Sequence, residues 1–165
     1  MAYQFKNITV LIVDSQPAIV DLIKGVLTMF GVKNVIACTD GKTALKAFRQ
    51  CKPDLMIVDW DLDNINGIEF TATIRRDSEN PYTPIIFMTV LSSERRVTEA
   101  RDSGITEFLK KPFTAGSLYK RIETIVENPR SFVRSEGFVG PDRRRKRDEP
   151  FKGEDRRDKW IVDVE

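Results

Sequence analysis

The chain has 165 residues, 27 Lys and Arg against 25 Asp and Glu, a formal net charge of +2, and no histidine. That length sets a prior of one domain with room for an appendage; the lack of histidine excludes a His-based triad or a His-ligated metal, and no stretch reaches the roughly 18 apolar residues of a membrane span. The even balance hides an asymmetry, because residues 1–128 carry 16 basic and 16 acidic side chains while residues 129–165 carry the other 11 and 9.

The opening stretch, MAYQFKNITVLIVD, lacks the basic start, long apolar run and small-residue cleavage site of a signal peptide. VLIVD (10–14), NVIAC (34–38), DLMIVD (54–59), PIIFMT (84–89) and EFLKK (107–111) are rich in Val and Ile and apolar on both faces, the pattern of buried parallel strands. Helix-period segments follow them over roughly 17–30, 41–50, 67–76, 93–103 and 115–127. Pro17 suits a first helical turn, Asp40 and Thr114 suit N-caps, and Gly31 and Gly104 suit helix ends. Five strand–helix repeats predict a doubly wound α/β fold, a five-stranded parallel sheet with helices on both faces. Cys38 and Cys51 stand apart in apolar-patterned segments and read as reduced packing residues of a cytoplasmic protein.

After Asn128-Pro129 the pattern stops. Residues 129–159 are charged, carry Gly and Pro, and have too little aliphatic content for a core, so they are expected to be disordered without a ligand. The chain divides on this reading into a domain over 1–128 and a tail over 129–165. WIVDV (160–164) reads equally as an anchor for the tail and as a frayed terminus.

In doubly wound folds chemistry gathers beyond the carboxyl ends of the strands. The first strand delivers Asp14 and Ser15 there, the third Asp59, the fourth Thr89 and the fifth Lys111. An aspartate flanked by another carboxylate, a hydroxyl and a lysine makes a coherent phosphoryl-transfer site. The acids, Asp14 and Asp59, suit a hard cation such as Mg²⁺, the central Asp can act as nucleophile, and Thr and Lys can bind phosphoryl oxygens.

VLIVDSQP, DLMIVDWDLDNINGIEF, PIIFMTV and FLKKPF, over about residues 6–127, resemble the CheY-like receiver domain of bacterial response regulators. The resemblance implies a flavodoxin-like receiver fold with Asp59 as phospho-acceptor, Asp14 in the acidic pocket, Thr89 as switch hydroxyl, Lys111 as pocket lysine and Phe108 as switch aromatic. It also implies a histidine kinase as a partner. Two departures stand out. Ser15 occupies the place of the usual second metal-binding acid, which weakens the case for Mg²⁺, since a hydroxyl substitutes poorly for a carboxylate. Asp63 replaces the usual loop proline and Asp61 precedes it, so these acids either return charge to the site or decorate a solvated loop.

The tail repeats itself. Phe-x-Gly-x-Asp-Arg-Arg begins at Phe138 and again, thirteen residues on, at Phe151. Binding through phosphates alone gains from each Lys or Arg and loses from each acid. Asp142, Asp148, Glu149, Glu154, Asp155 and Asp158 nevertheless lie among the arginines, which points to a specific, hydrogen-bonded ligand and away from nucleic acid. The arginine fork matches the O6/N7 edge of guanine, and a carboxylate can accept from the opposite edge. Gly140 and Gly153 would let the backbone turn tightly ahead of each Asp. The same period aligns Arg147 with Trp160, both planar groups able to stack on a base. Two copies suit a ligand with two guanines, such as cyclic di-GMP.

A receiver followed by a duplicated Gly-x-Asp-Arg-Arg tail resembles the Cle group of CheY-like cyclic di-GMP effectors of alphaproteobacteria. The resemblance implies ligand residues among Asp142, Arg143, Arg144, Arg145, Arg147, Asp155, Arg156, Arg157 and Trp160. It implies docking on a flagellar motor switch protein, with recruitment to the flagellated pole. The docking face expected is the fourth helix, fifth strand and fifth helix, with Phe108 and Lys110. The protein is then a signalling adaptor and not an enzyme, with no membrane partner. The alternative is a phosphorylation-driven single-domain response regulator whose basic tail binds nucleic acid.

Overall fold

The computed structural model describes residues 5–77, 79–90, 93–142 and 161–162. Strands β1 (Thr9–Val13), β2 (Asn34–Cys38), β3 (Leu55–Asp59), β4 (Ile85–Thr89) and β5 (Glu107–Lys110) pair in parallel in the order β2-β1-β3-β4-β5. Successive side chains of a strand point to opposite faces. Val10, Ile12, Ile57, Ile86, Met88 and Leu109 therefore share one core cluster, and Leu11, Val13, Met56, Val58, Ile85 and Phe87 the other. Helices α1 (Pro17–Met29) and α5 (Ala115–Glu127) cover the first face with Ile23, Leu27, Leu118 and Ile122. Helices α2 (Gly41–Cys51), α3 (Gly67–Asp77) and α4 (Glu94–Asp102) cover the second with Phe48, Phe70, Ile74 and Ala100. The doubly wound expectation holds, with no boundary moved by more than one residue.

Local signals act as expected. The Asp40 carboxylate accepts from the Thr43 backbone N–H at 2.9 Å, and Thr114 and Ser117 form a reciprocal capping box at α5. Gly31 and Gly104 take φ of +86° and +95° past the ends of α1 and α4. Both cysteines are free, but only Cys38 is buried; Cys51 is exposed at the end of α2, so it is not a packing residue. Among the described residues no helix is long and apolar enough to cross a membrane.

The expectation of disorder from residue 129 onward fails over its first part. Strands β6 (Phe132–Ser135) and β7 (Phe138–Pro141) pair antiparallel, with Phe132 opposite Pro141 and Ser135 opposite Phe138. Gly137, at φ +82°, closes the turn. Four-residue strands cannot bury a core of their own, and this hairpin uses the receiver-like body instead. Phe132 and Val133 are buried, and the Phe132 ring meets Tyr82 edge-on at 5.5 Å. Gly140 is likewise not a turn residue. It sits within β7, where an added Cβ would come 2.7 Å from the Gly104 Cα, so its role is close approach of two backbones.

A third strand, β8 (Ile161–Val162), lies on the free edge of β6, giving the order β7-β6-β8. Of the two readings of the apolar end, the backbone pairing at these residues matches the anchor.

Candidate functional site

The winding direction reverses between β1 and β3, and the crevice beyond their carboxyl ends is where such sheets place ligands. Asp14 and Asp59 arrive there from these two strands, both buried. Lys111, just past β5, donates from Nζ to Asp14 Oδ2 at 3.1 Å and lies 2.8 Å from Asp59 Oδ1. The second Asp14 oxygen accepts the Gln16 backbone N–H at 2.8 Å. Gly67, the first residue of α3, packs so closely on the Asp59 carbonyl and the Phe87 ring that no Cβ would fit.

Burial pushes the Asp59 carboxyl above its ordinary 3.8; Lys111 opposes that rise and the Asp14 charge adds to it. Burial also works to lower Lys111, but the hydrogen bonds and charges of Asp59 and Asp14 outweigh it and hold the ammonium above 10.5. The lysine therefore stays charged between two acids. Thr89, at the end of β4, is buried, and its hydroxyl has no hydrogen-bond partner among the described residues. A buried hydroxyl left alone costs about 1–3 kcal/mol, a penalty an incoming oxygen acceptor would remove.

The donor set fits a tightly held Mg²⁺ poorly. Such a cation wants about six oxygens in near-octahedral array. Here Asp14 and Asp59 are already bridged by an ammonium, and Ser15 beside them offers only a hydroxyl. Asp61 and Asp63 are exposed, and Asp63 forms a backbone bridge with Asp40, so these acids belong to the solvated loop. No group of three or more acidic or cysteine side chains among the described residues is placed to hold a metal ion.

The hairpin occupies the opposite end of the sheet. Arg75, in the last turn of α3, donates from Nε to Gly104 O at 2.9 Å and from Nη1 to Thr83 O at 2.7 Å and Pro81 O at 2.5 Å. Its guanidinium also lies 5.1 Å from the Phe132 ring centroid. Burial pulls Arg75 down to about 9, and the three carbonyls engage its Nε and Nη1 donors. Glu107, at the start of β5, is buried and pairs with Arg121 of α5 and Arg130 of the connection, each at 3.3 Å. These contacts cluster at the amino ends of β4 and β5, while Thr89 ends β4 and Lys111 follows the carboxyl end of β5. A five-residue strand, about 13 Å from first to last residue, separates the two regions.

The family model for the response regulator receiver domain matches residues 10–123. The chain belongs to that family. Beyond the receiver match lie the hairpin and the arginine-rich segment. The chemotaxis protein CheY-3 of Vibrio cholerae is 30% identical over 122 residues, covering 74% of this chain and 94% of its own. The chemotaxis protein CheY of Pseudomonas aeruginosa is 30% identical over 118 residues, covering 72% and 95%. Among solved structures, the chemotaxis response regulator CheY4 of Vibrio cholerae matches with a TM-score of 0.67 at 29% identity, over 72% of this chain and 98% of that one. The receiver domain of the Francisella response regulator 1452 matches with a TM-score of 0.67 at 28% identity, over 73% and 98%.

In the receiver, Phe108 is half-buried against the core face of α2, α3 and α4, and Lys110 is exposed at the end of β5. Asp142, the first residue expected in the ligand site, is half-buried, and its backbone N–H donates to Ser131 O at 2.8 Å. Arg143, Arg144, Arg145, Arg147, Asp155, Arg156, Arg157 and Trp160 lie outside the described residues. Sequence reasoning missed Arg75 and Glu107 as the receiver's anchors for the hairpin. Their only signal was the unusual Arg75-Arg76 pair closing a helix.

Proposed function

We propose that this receiver is a signalling adaptor whose arginine-rich segment binds cyclic di-GMP and whose body docks on a flagellar motor switch protein. The observation that carries the reading is the in-register repeat, Phe138-Val-Gly-Pro-Asp-Arg-Arg and Phe151-Lys-Gly-Glu-Asp-Arg-Arg. Each bidentate arginine–guanine contact is worth roughly 1–3 kcal/mol and each stacked base roughly 1–3 kcal/mol. Ordering a free segment costs about 2–5 kcal/mol, and the surplus reaches micromolar affinity or better. The hairpin supports the reading further, because Asp142 at the root of the first repeat is already held by the ladder to Ser131. That lessens the ordering cost.

Likeness to chemotaxis proteins supports motility control as the output, with docking through α4, β5 and α5. The ligand promotes docking only insofar as it favours the docking-competent state. Calorimetry on the full chain tests the ligand. Saturable binding that GTP and duplex DNA do not displace, lost in Arg143→Ala, Arg144→Ala or Arg156→Ala, is the expected result. Binding that tolerates single arginine losses and fades steeply with salt marks a polyanion site instead and rejects the proposal. A motor-switch pull-down indifferent to cyclic di-GMP rejects the coupling alone.

A second reading, control by phosphorylation, draws on the Lys111–Asp59 contact and on the Thr89 hydroxyl, which has no hydrogen-bond partner among the described residues. An Asp59 oxygen would attack the phosphorus of a phosphodonor while the bond to the leaving group breaks and takes its electron pair away. Exposure to a small phosphodonor should add one phosphoryl mass to the protein and none to Asp59→Ala. No mass shift in either removes this reading.

A further inference from the structure

Helix α1 is apolar on both sides. Its thirteen residues, PAIVDLIKGVLTM, include two charged side chains, Asp21 and Lys24. Val20, Ile23, Val26 and Leu27 are buried in the core, yet on the outer side Leu22 is 50% exposed and Met29 79%. A surface helix ordinarily turns charge toward water, and one that keeps large apolar side chains there presents a face to be covered.

Gly25 stands between those two, three residues after Leu22 and four before Met29, so all three lie along one stripe. Glycine weakens a helix interior relative to alanine. The fold itself has no use for it here. Gly25 has no positive φ, and an added Cβ would meet no atom within 4 Å. A glycine that nothing inside the molecule requires suits close approach by a backbone from outside.

The occupant that matches is a second copy of the same helix, running antiparallel. A two-fold contact sets one patch against itself. Centred on Gly25, it puts Leu22 of each chain against Met29 of the other and lets the backbones close at the glycines. The charges agree with that direction. The first turn of α1 has no acid, its last turn no base, and Gln16 gives no side-chain cap, so its own side chains leave both ends of the dipole uncompensated. An antiparallel copy brings each positive end toward a negative one. Asp21 lies toward one end of the stripe and Lys33 just past the other, both exposed and without an ion pair among the described residues. The same arrangement turns each toward its opposite across the pair.

We propose that the chain self-associates through α1, as an antiparallel two-fold pair centred on Gly25. A single helix pair is smaller than the roughly 1,200–2,000 Å² of a standard interface, so the dimer is weak, with a Kd on the order of 10–100 µM. The contact uses no residue of the arginine-rich segment and stands independently of the ligand reading.

Sedimentation equilibrium of the full-length protein, at concentrations spanning that Kd, should show a reversible monomer–dimer equilibrium. Leu22→Glu and Met29→Glu place an uncovered charge in the contact, and each should weaken it roughly tenfold or more. Both positions are exposed, and melts at a concentration where the wild type is monomeric verify the fold. Gly25→Ala separates the contact from a purely structural effect: as a monomer it should melt above the wild type, yet it should dimerise more weakly. Asp21→Lys should also weaken the dimer, and adding Lys33→Asp should restore it. A chain that stays monomeric throughout overturns the proposal. So does a dimer that survives Met29→Glu, one that Gly25→Ala leaves unchanged, or one that the paired charge reversal fails to restore.

Discussion

The Arg75 guanidinium lies 5.1 Å from the centroid of the Phe132 ring, joining the last turn of α3 to the first strand of the hairpin. The ring is buried and also meets Tyr82, so one aromatic side chain touches two separate segments of the receiver. Truncating a buried phenylalanine costs about 3–5 kcal/mol, more than a hairpin of this size can spare. Phe132→Ala should release the hairpin while leaving the sheet intact. Hydrogen exchange checks this: amides of Val133 and Val139 should lose protection, and those of Ile12 and Ile57 should keep it.

Two glycines should respond with opposite signs. Gly25 faces open space on α1, where alanine stabilises a helix interior by about 0.5–1 kcal/mol. At Gly140 an added Cβ would meet the Gly104 backbone at 2.7 Å, and backbone cannot swing aside as a side chain would. Overpacking of this kind costs about 1–3 kcal/mol. Thermal denaturation should therefore place Gly25→Ala above the wild type, and hydrogen exchange should find the hairpin opened in Gly140→Ala.

Stability should depend on pH through Asp59. Its folded value is raised above 3.8 by burial, so the native state holds that proton longer than the unfolded chain does. Stability then falls as pH rises from 3.8 through the raised value, and the full penalty persists above it. Asp59→Asn removes the penalty. The variant should gain about 0.5–2 kcal/mol at neutral pH and lose that part of the pH slope in denaturant titrations. An unchanged slope would assign the buried charge elsewhere.

Glu107 ties three elements together through Arg121 and Arg130. Both arginines are partly exposed, so solvent discounts each pair to about 1 kcal/mol or less. Glu107→Gln keeps the shape and removes the charge. It should lower stability by about 1–2 kcal/mol, and Arg130→Ala in that background should add little, because the two residues share one interaction. A fully additive double variant would mean the pairs contribute independently of each other.

The five strands were legible because Val10, Ile12, Ile57 and Ile86 and their alternating neighbours are apolar on both faces, a pattern only a covered parallel sheet explains. Legibility of the pocket followed, since Asp14, Asp59, Thr89 and Lys111 end strands whose order is set by that pattern. The exposed place of Cys51 was not legible, because helix periodicity at a last turn leaves the facing direction open.

The sequence alone determined the doubly wound receiver, its caps and its carboxyl-end residues, since each depends on periodicity and on neighbours a few positions away. Tertiary structure alone decided that residues 132–141 form a hairpin, that Gly140 serves close packing, and that Asp61 and Asp63 stay out of the pocket. The physical reason is that the hairpin has too few apolar residues to fold by itself. Its stability comes from Arg75, Tyr82 and Gly104, distant in sequence and brought together only once the receiver is formed.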